Sequence, residues 1–249
     1  TYFYGIGAKN KYLAVIAGPT AAGKTALAIE VARHFGTVIV SSDSRQFYKG
    51  LDIGTAKPGT AELAAVPHYM INNKTVEELY GAGHFASDAV KLLDELFKDH
   101  SLVVLAGGSG LYIQALLYGV DEFAEVPQDV RKKLNEEYAE KGMGWLHEEL
   151  KKHDPEYFET ADTNNPQRLI RALEVIRHTG APFSSFLKKS GAERKFSAIK
   201  ILINPGREEL YRRINTRCDE MIKGGLVEEA RSMYGKKHLN ALKTVGYKE

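Results

Sequence analysis

"YLAVIAGPTAAGKT" runs from Tyr12 to Thr25, and its two halves decide the fold. The first, "YLAVIAG", is a continuous apolar run closed by glycine, the pattern of a parallel strand buried on both faces. The second, Gly18, Pro19, Thr20, Ala21, Ala22, Gly23, Lys24 and Thr25, fits G-x-x-x-x-G-K-[ST]. Lys24 to Phe35 then reads as a helix with Leu27, Val31 and Phe35 along one face. Strand, loop and helix in this order wrap backbone amides and a helix N-terminus around a phosphate, with Lys24 as a point charge. Thr25 can place its hydroxyl on Mg²⁺. The spacing predicts that a di- or triphosphate binds at Gly18 to Thr25.

Beyond the loop, strands and helices alternate. "TVIVSSD" reads as a second strand with a polar end, and "SLVVLAGG" as a third, buried one. Between them "HFASDAVKLLDELFKDH" is helical, its stripe formed by Phe85, Ala89, Leu92, Leu93 and Leu96; "SGLYIQALLYG" opens another helix. This alternation predicts an α/β fold, a P-loop NTPase-like parallel sheet with helices on both faces and ligands at the carboxyl ends of its strands. From about Asp121 the sequence becomes charged, helix-prone and free of strand signals. There "NNPQRLIRALEVIRHTG" offers Asn165 as N-cap, Pro166 at the first turn and Gly180 past the end. "FSAIKILIN" returns to strand character, and "REELYRRINTRCDEMIKGGLVEEARSMYG" is helical with a Gly-Gly break. The expectation is a catalytic core from residues 1–120 and 191–249, interrupted by a helical insertion at 121–190.

At 249 residues, with 43% hydrophobic and 27% charged, the chain can bury a full core as one domain carrying an insertion. A net charge of +2 requires any nucleic-acid site to come from local clustering. The sole cysteine, Cys218, excludes an intrachain disulfide and a multi-cysteine zinc site and suits a reducing compartment. No stretch approaches the roughly 20 apolar residues of a membrane span, and "TYFYGIGAKNKY" lacks the order of a signal peptide. The cytoplasm and no membrane partner are therefore expected. His68, His84, His100, His147 and His153 show no metal-ligand spacing.

The phosphate loop alone leaves the fate of the phosphate open. A hydrolytic P-loop enzyme needs an acid at the end of a later strand, whereas "SLVVLAGGSG" ends in Ala106, Gly107 and Gly108. That weakens the ATPase reading and leaves a kinase open. "SSDSRQFYKGLDIGTAKP" should face the same cleft. Asp43 there can accept a proton or simply cap a turn, and Arg45 and Gln46 suit bases and phosphates. Tyr48, Asp52 and Lys57 fit packing or surface roles equally. "GGSGLY" brings Ser109 and further amides toward an anion. In "NPQRLIRALEVIR", Leu169, Leu173 and Ile176 line one helix face, while Gln167, Arg168 and Arg171 share another, as solvated residues or as base and phosphate contacts. In the helix that follows, Arg207 and Arg217 are candidates to reach a pyrophosphate.

In one order from about Tyr12 to the chain end, "GPTAAGKT", "SSDSRQFYKGLDIGTAKP", "VPHYMI", "GGSGLYIQALL", "NNPQRLIRALEVIRHTGAPFS" and "LKTVGYKE" resemble the tRNA dimethylallyltransferases. The resemblance implies that the loop grips the diphosphate of dimethylallyl diphosphate, with Lys24 and Thr25 catalytic and Thr25 holding Mg²⁺ together with the diphosphate. It implies transfer of dimethylallyl to the exocyclic amine of the adenosine 3′ of the anticodon, in tRNAs reading codons that begin with U. Asp43 matches the family's aspartate in "DSRQ", as a general base for the amine or as a group that positions it. The tRNA-contacting motifs map onto Asp43, Ser44, Arg45 and Gln46, onto Gln167, Arg168, Leu169, Ile170 and Arg171, and onto Ser109 and Arg131; the insertion becomes the arm that clasps the anticodon stem. A monomer is expected. Ser109 stands where threonine is usual, and "VPHYMINN" departs from a paired-histidine form. The sequence ends at "GYKE", before the family's C-terminal helices, and without a zinc finger, which points to the bacterial type. An adenylate isopentenyltransferase, which needs neither the "QRLIR" face nor the arm, is the main alternative, ahead of a small P-loop kinase.

Overall fold

The structure is a computed structural model that describes residues 10–120, 126–187, 191–244 and 247. Most of the N-terminal stretch weighed above as a signal peptide, and all of "VGYKE" except Tyr247, lie outside the described residues. The chain divides into two compact units, Thr1–Val120 with Ala192–Glu249, and Asp121–Gly191. The first unit opens with β1 (Tyr12–Ala17), α1 (Lys24–His34), β2 (Ile39–Ser41), α2 (Thr60–Ala65), β3 (His68–Tyr69), α3 (Ala82–Asp99), β4 (Leu102–Gly107) and α4 (Gly110–Tyr118). The second unit follows, with α5 (Gln128–His153), α6 (Pro155–Thr160) and α7 (Pro166–Thr179). The first then resumes with β5 (Ser197–Leu202), α8 (Arg207–Lys223) and α9 (Leu226–Met233).

The five strands lie in the order β3-β2-β4-β1-β5, every pair parallel. Alternation along β1 feeds two cores. Leu13 and Val15 pack with Phe85, Ala89 and Leu93 of α3 and Leu116 of α4, while Ala14 and Ile16 pack with Ala28 and Ala32 of α1. Each large side chain so buried contributes about 1.5–3 kcal/mol. The α1 face differs from the one expected: Ala28 and Ala32 carry it, Leu27 and Val31 flank it, and Phe35, past the helix end, is 48% exposed. Small residues let α1 lie close to the sheet, so the larger four-spaced ones sit at its margins. α2 and β3 were not anticipated, because six and two residues are too short to show a period. β5 is exposed along its whole length as an edge strand.

The strand order sets the place of the site. From β1 the chain moves past β4 to β2; from β4 it eventually returns to the other side of β1 as β5. Ala17 pairs with Gly107, and Ser41 with Ala106, so the loops after β1, β2 and β4 leave the sheet side by side at this reversal. Two glycines make the crowding possible. A Cβ on Gly18 would lie 2.5 Å from the Ile203 carbonyl oxygen, and one on Gly107 would run into the Ser42 backbone at 2.6 Å.

In the second unit Leu134, Leu146 and Leu150 of α5 pack with Leu169, Ile170 and Leu173 of α7. Gly142 (φ 77°, ψ −171°) breaks the α5 helix. The Asn165 side chain accepts the Arg168 N–H at 3.4 Å, and Gly180 ends α7 in the left-handed conformation, as the sequence suggested. Asp154, 1% exposed, accepts from the Tyr157 and Ser184 N–H groups and the Ser184 hydroxyl, tying α6 to the turn after α7.

Candidate active site

The loops after β1, β2 and β4 line one cavity of 1370 Å³ within the first unit. Gly18 to Thr25 form part of its wall, Asp43 to Gln46 another, and Gly107, Gly108 and Ser109 a third. Among the described residues no side chain caps the α1 N-terminus, and Gly23 precedes it in the left-handed conformation (φ 92°). The first-turn amides of such a helix suit an anion. Lys24 Nζ donates to the Pro19 carbonyl at 2.6 Å, which folds the lysine over its own loop. Burial pushes the Lys24 pKa below its ordinary value; nearby Arg217 adds to the shift and Asp43 partly offsets it.

Arg217 of α8 reaches this loop with a hydrogen bond, and Arg213 Nη1 lies 3.8 Å from where a Cβ on Gly23 would sit. Arg217 Nη1 donates to Thr20 Oγ1 at 3.3 Å, and burial lowers the Arg217 pKa against the pull of Asp43. Arg207 is placed differently: it is exposed, stays against the Tyr211 ring and hydroxyl, and is not among the residues lining the cavity. Arg212 and Arg213 both bond Glu209, whose carboxyl they hold down at about 2.

Asp43 lies two residues beyond β2. Its Oδ1 accepts the Arg45 N–H at 2.8 Å and the Gln46 N–H at 3.2 Å, and Oδ2 has no hydrogen bond among the described residues. The turn engages Oδ1 alone, so the same carboxylate can cap the turn and still offer Oδ2 as an acceptor. Ser109 Oγ accepts the Ser44 N–H at 2.9 Å, joining the β4 loop to the β2 loop. Arg45 Nη1 donates to the carbonyls of Asn240 and Ala241, so this guanidinium partly serves the chain itself. Gln46 Nε2 donates to the Thr55 and Ala56 carbonyls, and its Oε1 accepts from Ser41 Oγ. The Lys57 side chain is covered, with Nζ donating to the Tyr48 carbonyl, Asp52 Oδ1 and Asn72 Oδ1, and Tyr48 is core.

The remaining candidates lie in the second unit. Gln167 and Arg168 are exposed on α7, whereas Leu169 and Ile170 are fully buried and present no side chain to a ligand. Arg131 Nη2 donates to Gln167 Oε1 at 3.3 Å. Sequence reading missed Glu174, whose side chain is 2% exposed. It is ion-paired with Arg131 and with Arg171, each at 3.1 Å, and organises this face from beneath. Its only sequence signal was the spacing of three from Arg171. His147 bonds the Thr163 carbonyl and His68 the Val66 carbonyl.

Among the described residues no cluster of three His, Cys, Asp or Glu side chains could hold a metal ion. A divalent ion here would depend on the Thr25 hydroxyl and the oxygens of a bound diphosphate. That donor set fits Mg²⁺, which is commonly held by few protein ligands together with substrate phosphates. Among the described residues no helix is long and apolar enough to cross a membrane.

Residues 46–249 match the family model described as IPP transferase. The chain is 52% identical over 240 residues to the tRNA dimethylallyltransferase of Christiangramia forsetii, covering 96% of this chain and 80% of that one. It is 36% identical to the solved tRNA delta(2)-isopentenylpyrophosphate transferase of Staphylococcus epidermidis, with a TM-score of 0.63 over 96% of this chain and 79% of that one. A eukaryotic dimethylallyltransferase acting on tRNA, 24% identical, shares the fold with a TM-score of 0.76 over 92% of this chain and 57% of that one.

Proposed function

This chain belongs to the IPP transferase family, and we propose that it transfers a dimethylallyl group from dimethylallyl diphosphate to the exocyclic amine of the adenosine 3′ of the anticodon, in tRNAs reading codons that begin with U. One observation carries the reading. A diphosphate cradle and an aimed carboxylate line the same cavity, while the β4 end beside them supplies glycine and serine in place of an acid. Such a site can grip a diphosphate and accept a proton without activating water.

The chemistry follows from these groups. The allylic C–O bond breaks and its electrons leave with the diphosphate, where Lys24, Arg217 and the loop amides stabilise the growing charge. Bound Mg²⁺ would add Lewis-acid stabilisation of the same oxygens. The adenine amine forms the new N–C bond and loses a proton to Asp43, whose Oδ2 has no hydrogen bond among the described residues. The base must leave its stack to reach the cavity, at a cost of about a few kcal/mol. Gln167, Arg168, Arg171 and Arg131 are the second unit's contribution to tRNA binding; Leu169 and Ile170 hold their helix in place. The protein works as a cytoplasmic monomer.

The test is an incubation with radiolabelled dimethylallyl diphosphate, Mg²⁺ and unmodified tRNA, beside tubes holding AMP or ATP as acceptor. Label is expected in tRNA alone. Label in AMP or ATP would assign the protein to free-nucleotide prenylation, and no transfer in any tube would overturn the reading.

A further inference from the structure

Glu229 of α9 takes no part in the site described above and does not line the cavity. Its carboxylate is nonetheless saturated. Oε2 accepts the N–H groups of Asp52 (3.0 Å) and Ile53 (2.9 Å), and Oε1 those of Ile53 (3.1 Å) and Gly54 (3.0 Å). The Tyr247 hydroxyl donates to Oε1 as well, and a Cβ on Gly54 would lie 2.6 Å from the Tyr247 ring. Three consecutive amides converging on one acceptor form a nest of the kind that holds phosphates. Here the occupant is the chain's own carboxylate.

The turn so gripped does line the cavity, through Asp52, Ile53, Gly54, Thr55 and Ala56. It closes on itself through Ala56 N–H to the Ile53 carbonyl and Lys57 N–H to the Asp52 carbonyl. Its Thr55 and Ala56 carbonyls then receive both donors of the Gln46 amide, at 3.3 and 3.2 Å. The Gln46 backbone N–H in turn donates to Asp43 Oδ1. A continuous chain of hydrogen bonds thus runs from Glu229 behind the cavity wall to the carboxylate inside it.

We propose that Glu229 is a positioning residue for the transfer reaction: it fixes the 52–56 turn, the turn fixes Gln46, and Gln46 fixes the direction of the Asp43 carboxylate. The inference rests on the proposed reaction, with Asp43 as its base. Glutamine at 229 would turn an N–H group toward amides that need an acceptor, so the conservative change removes the grip.

The experiment is single-turnover transfer to tRNA by wild type, Glu229→Gln, Tyr247→Phe, Asp43→Ala and the Asp43→Ala/Glu229→Gln pair. Glu229→Gln should slow transfer about 10-fold, as displacement of a reacting group by a fraction of an ångström does, with pyrophosphate affinity unchanged within about twofold. Tyr247→Phe, which removes one donor and leaves the carboxylate, should slow it about 2- to 3-fold and guards against misfolding of the first variant. In the Asp43→Ala background the Glu229→Gln effect should fall below about twofold, since nothing remains to be positioned. A tenfold loss persisting in that background, or wild-type rates for Glu229→Gln, would overturn the proposal. Amide hydrogen exchange at residues 52–54 needs no substrate and should quicken at least about tenfold in Glu229→Gln. Unchanged exchange overturns the positioning role alone, whereas absence of transfer by wild type overturns the reaction and, with it, the role.

Discussion

Around the cavity of the first unit, the diphosphate cradle is built on backbone: amides of a glycine-rich loop and the first turn of α1. In the second unit the groups offered to a ligand are side chains, Gln167 and Arg171 of α7 and Arg131 of α5, the two arginines paired with the buried carboxylate of Glu174. The first arrangement is rigid because glycine allows a close approach that any Cβ would block. The second can be rigid only if long side chains are tethered, since arginine carries about 2 kcal/mol of rotamer entropy. A backbone site is hard to weaken by one substitution unless the substitution removes its charge. A side-chain site can be disordered by removing one hidden anchor.

The largest effect belongs to the first unit. Asp43→Ala should lower turnover about 10²–10⁴-fold while leaving tRNA affinity nearly unchanged; near-normal turnover would reduce Asp43 to the turn cap that its Oδ1 already serves. Lys24→Ala should follow at about 10²-fold in kcat/KM for dimethylallyl diphosphate, in line with removing one donor from a developing anion. Unchanged kinetics would remove the loop's charge from the mechanism and leave its amides alone.

The second unit should respond more gently and in a telling direction. Glu174→Gln deletes a negative charge, so charge summation alone predicts tighter tRNA binding. If the buried carboxylate orients Arg131 and Arg171, binding should instead weaken about 3- to 10-fold, with a salt dependence shallower by up to about one unit of log–log slope. Tighter binding at every salt concentration would show that the arginines need no anchor. Thermal unfolding, run in parallel, should fall by several degrees because both ion pairs of the buried Glu174 carboxylate are lost.

The same contrast explains what could be read beforehand. The phosphate loop was legible because its chemistry is written in glycines at fixed spacing inside one strand-to-helix turn. The caps of α7 were legible for the same reason, Asn165 and Gly180 being local signals. Glu174 was not, because its value depends on burial between α7 and α5, and a glutamate three residues from an arginine looks like any surface pair. Glu229 was hidden more deeply, since 175 to 177 residues of chain separate it from the amides it holds. The α1 face was misjudged because periodicity marks which side is apolar and leaves open how near the sheet lies.

An effect no larger than that of Glu174→Gln is expected in a pH dependence carried by Lys24, and its two sides have opposite signs. In the folded protein burial, Arg217 and Asp43 together leave the Lys24 pKa below its ordinary value of 10.5. The unfolded chain therefore binds this proton more tightly than the folded one. Below the folded pKa the charged lysine costs stability, and the unliganded protein gains as pH rises from that pKa toward 10.5. Anion binding needs the charged form, so affinity for pyrophosphate should fall through the same window, by about 3- to 10-fold. Melting temperatures with and without saturating pyrophosphate, taken from pH 7 upward, should thus converge, the ligand-induced shift shrinking while the unliganded curve rises. Pyrophosphate itself becomes more negative over this range, which acts against the loss. Lys24→Arg separates the two, because a guanidinium keeps its proton throughout: its ligand-induced shift should hold or grow with pH. A wild type that behaves like Lys24→Arg would mean that the charge gripping the diphosphate comes from Arg217 and the helix end, with Lys24 left bonded to Pro19.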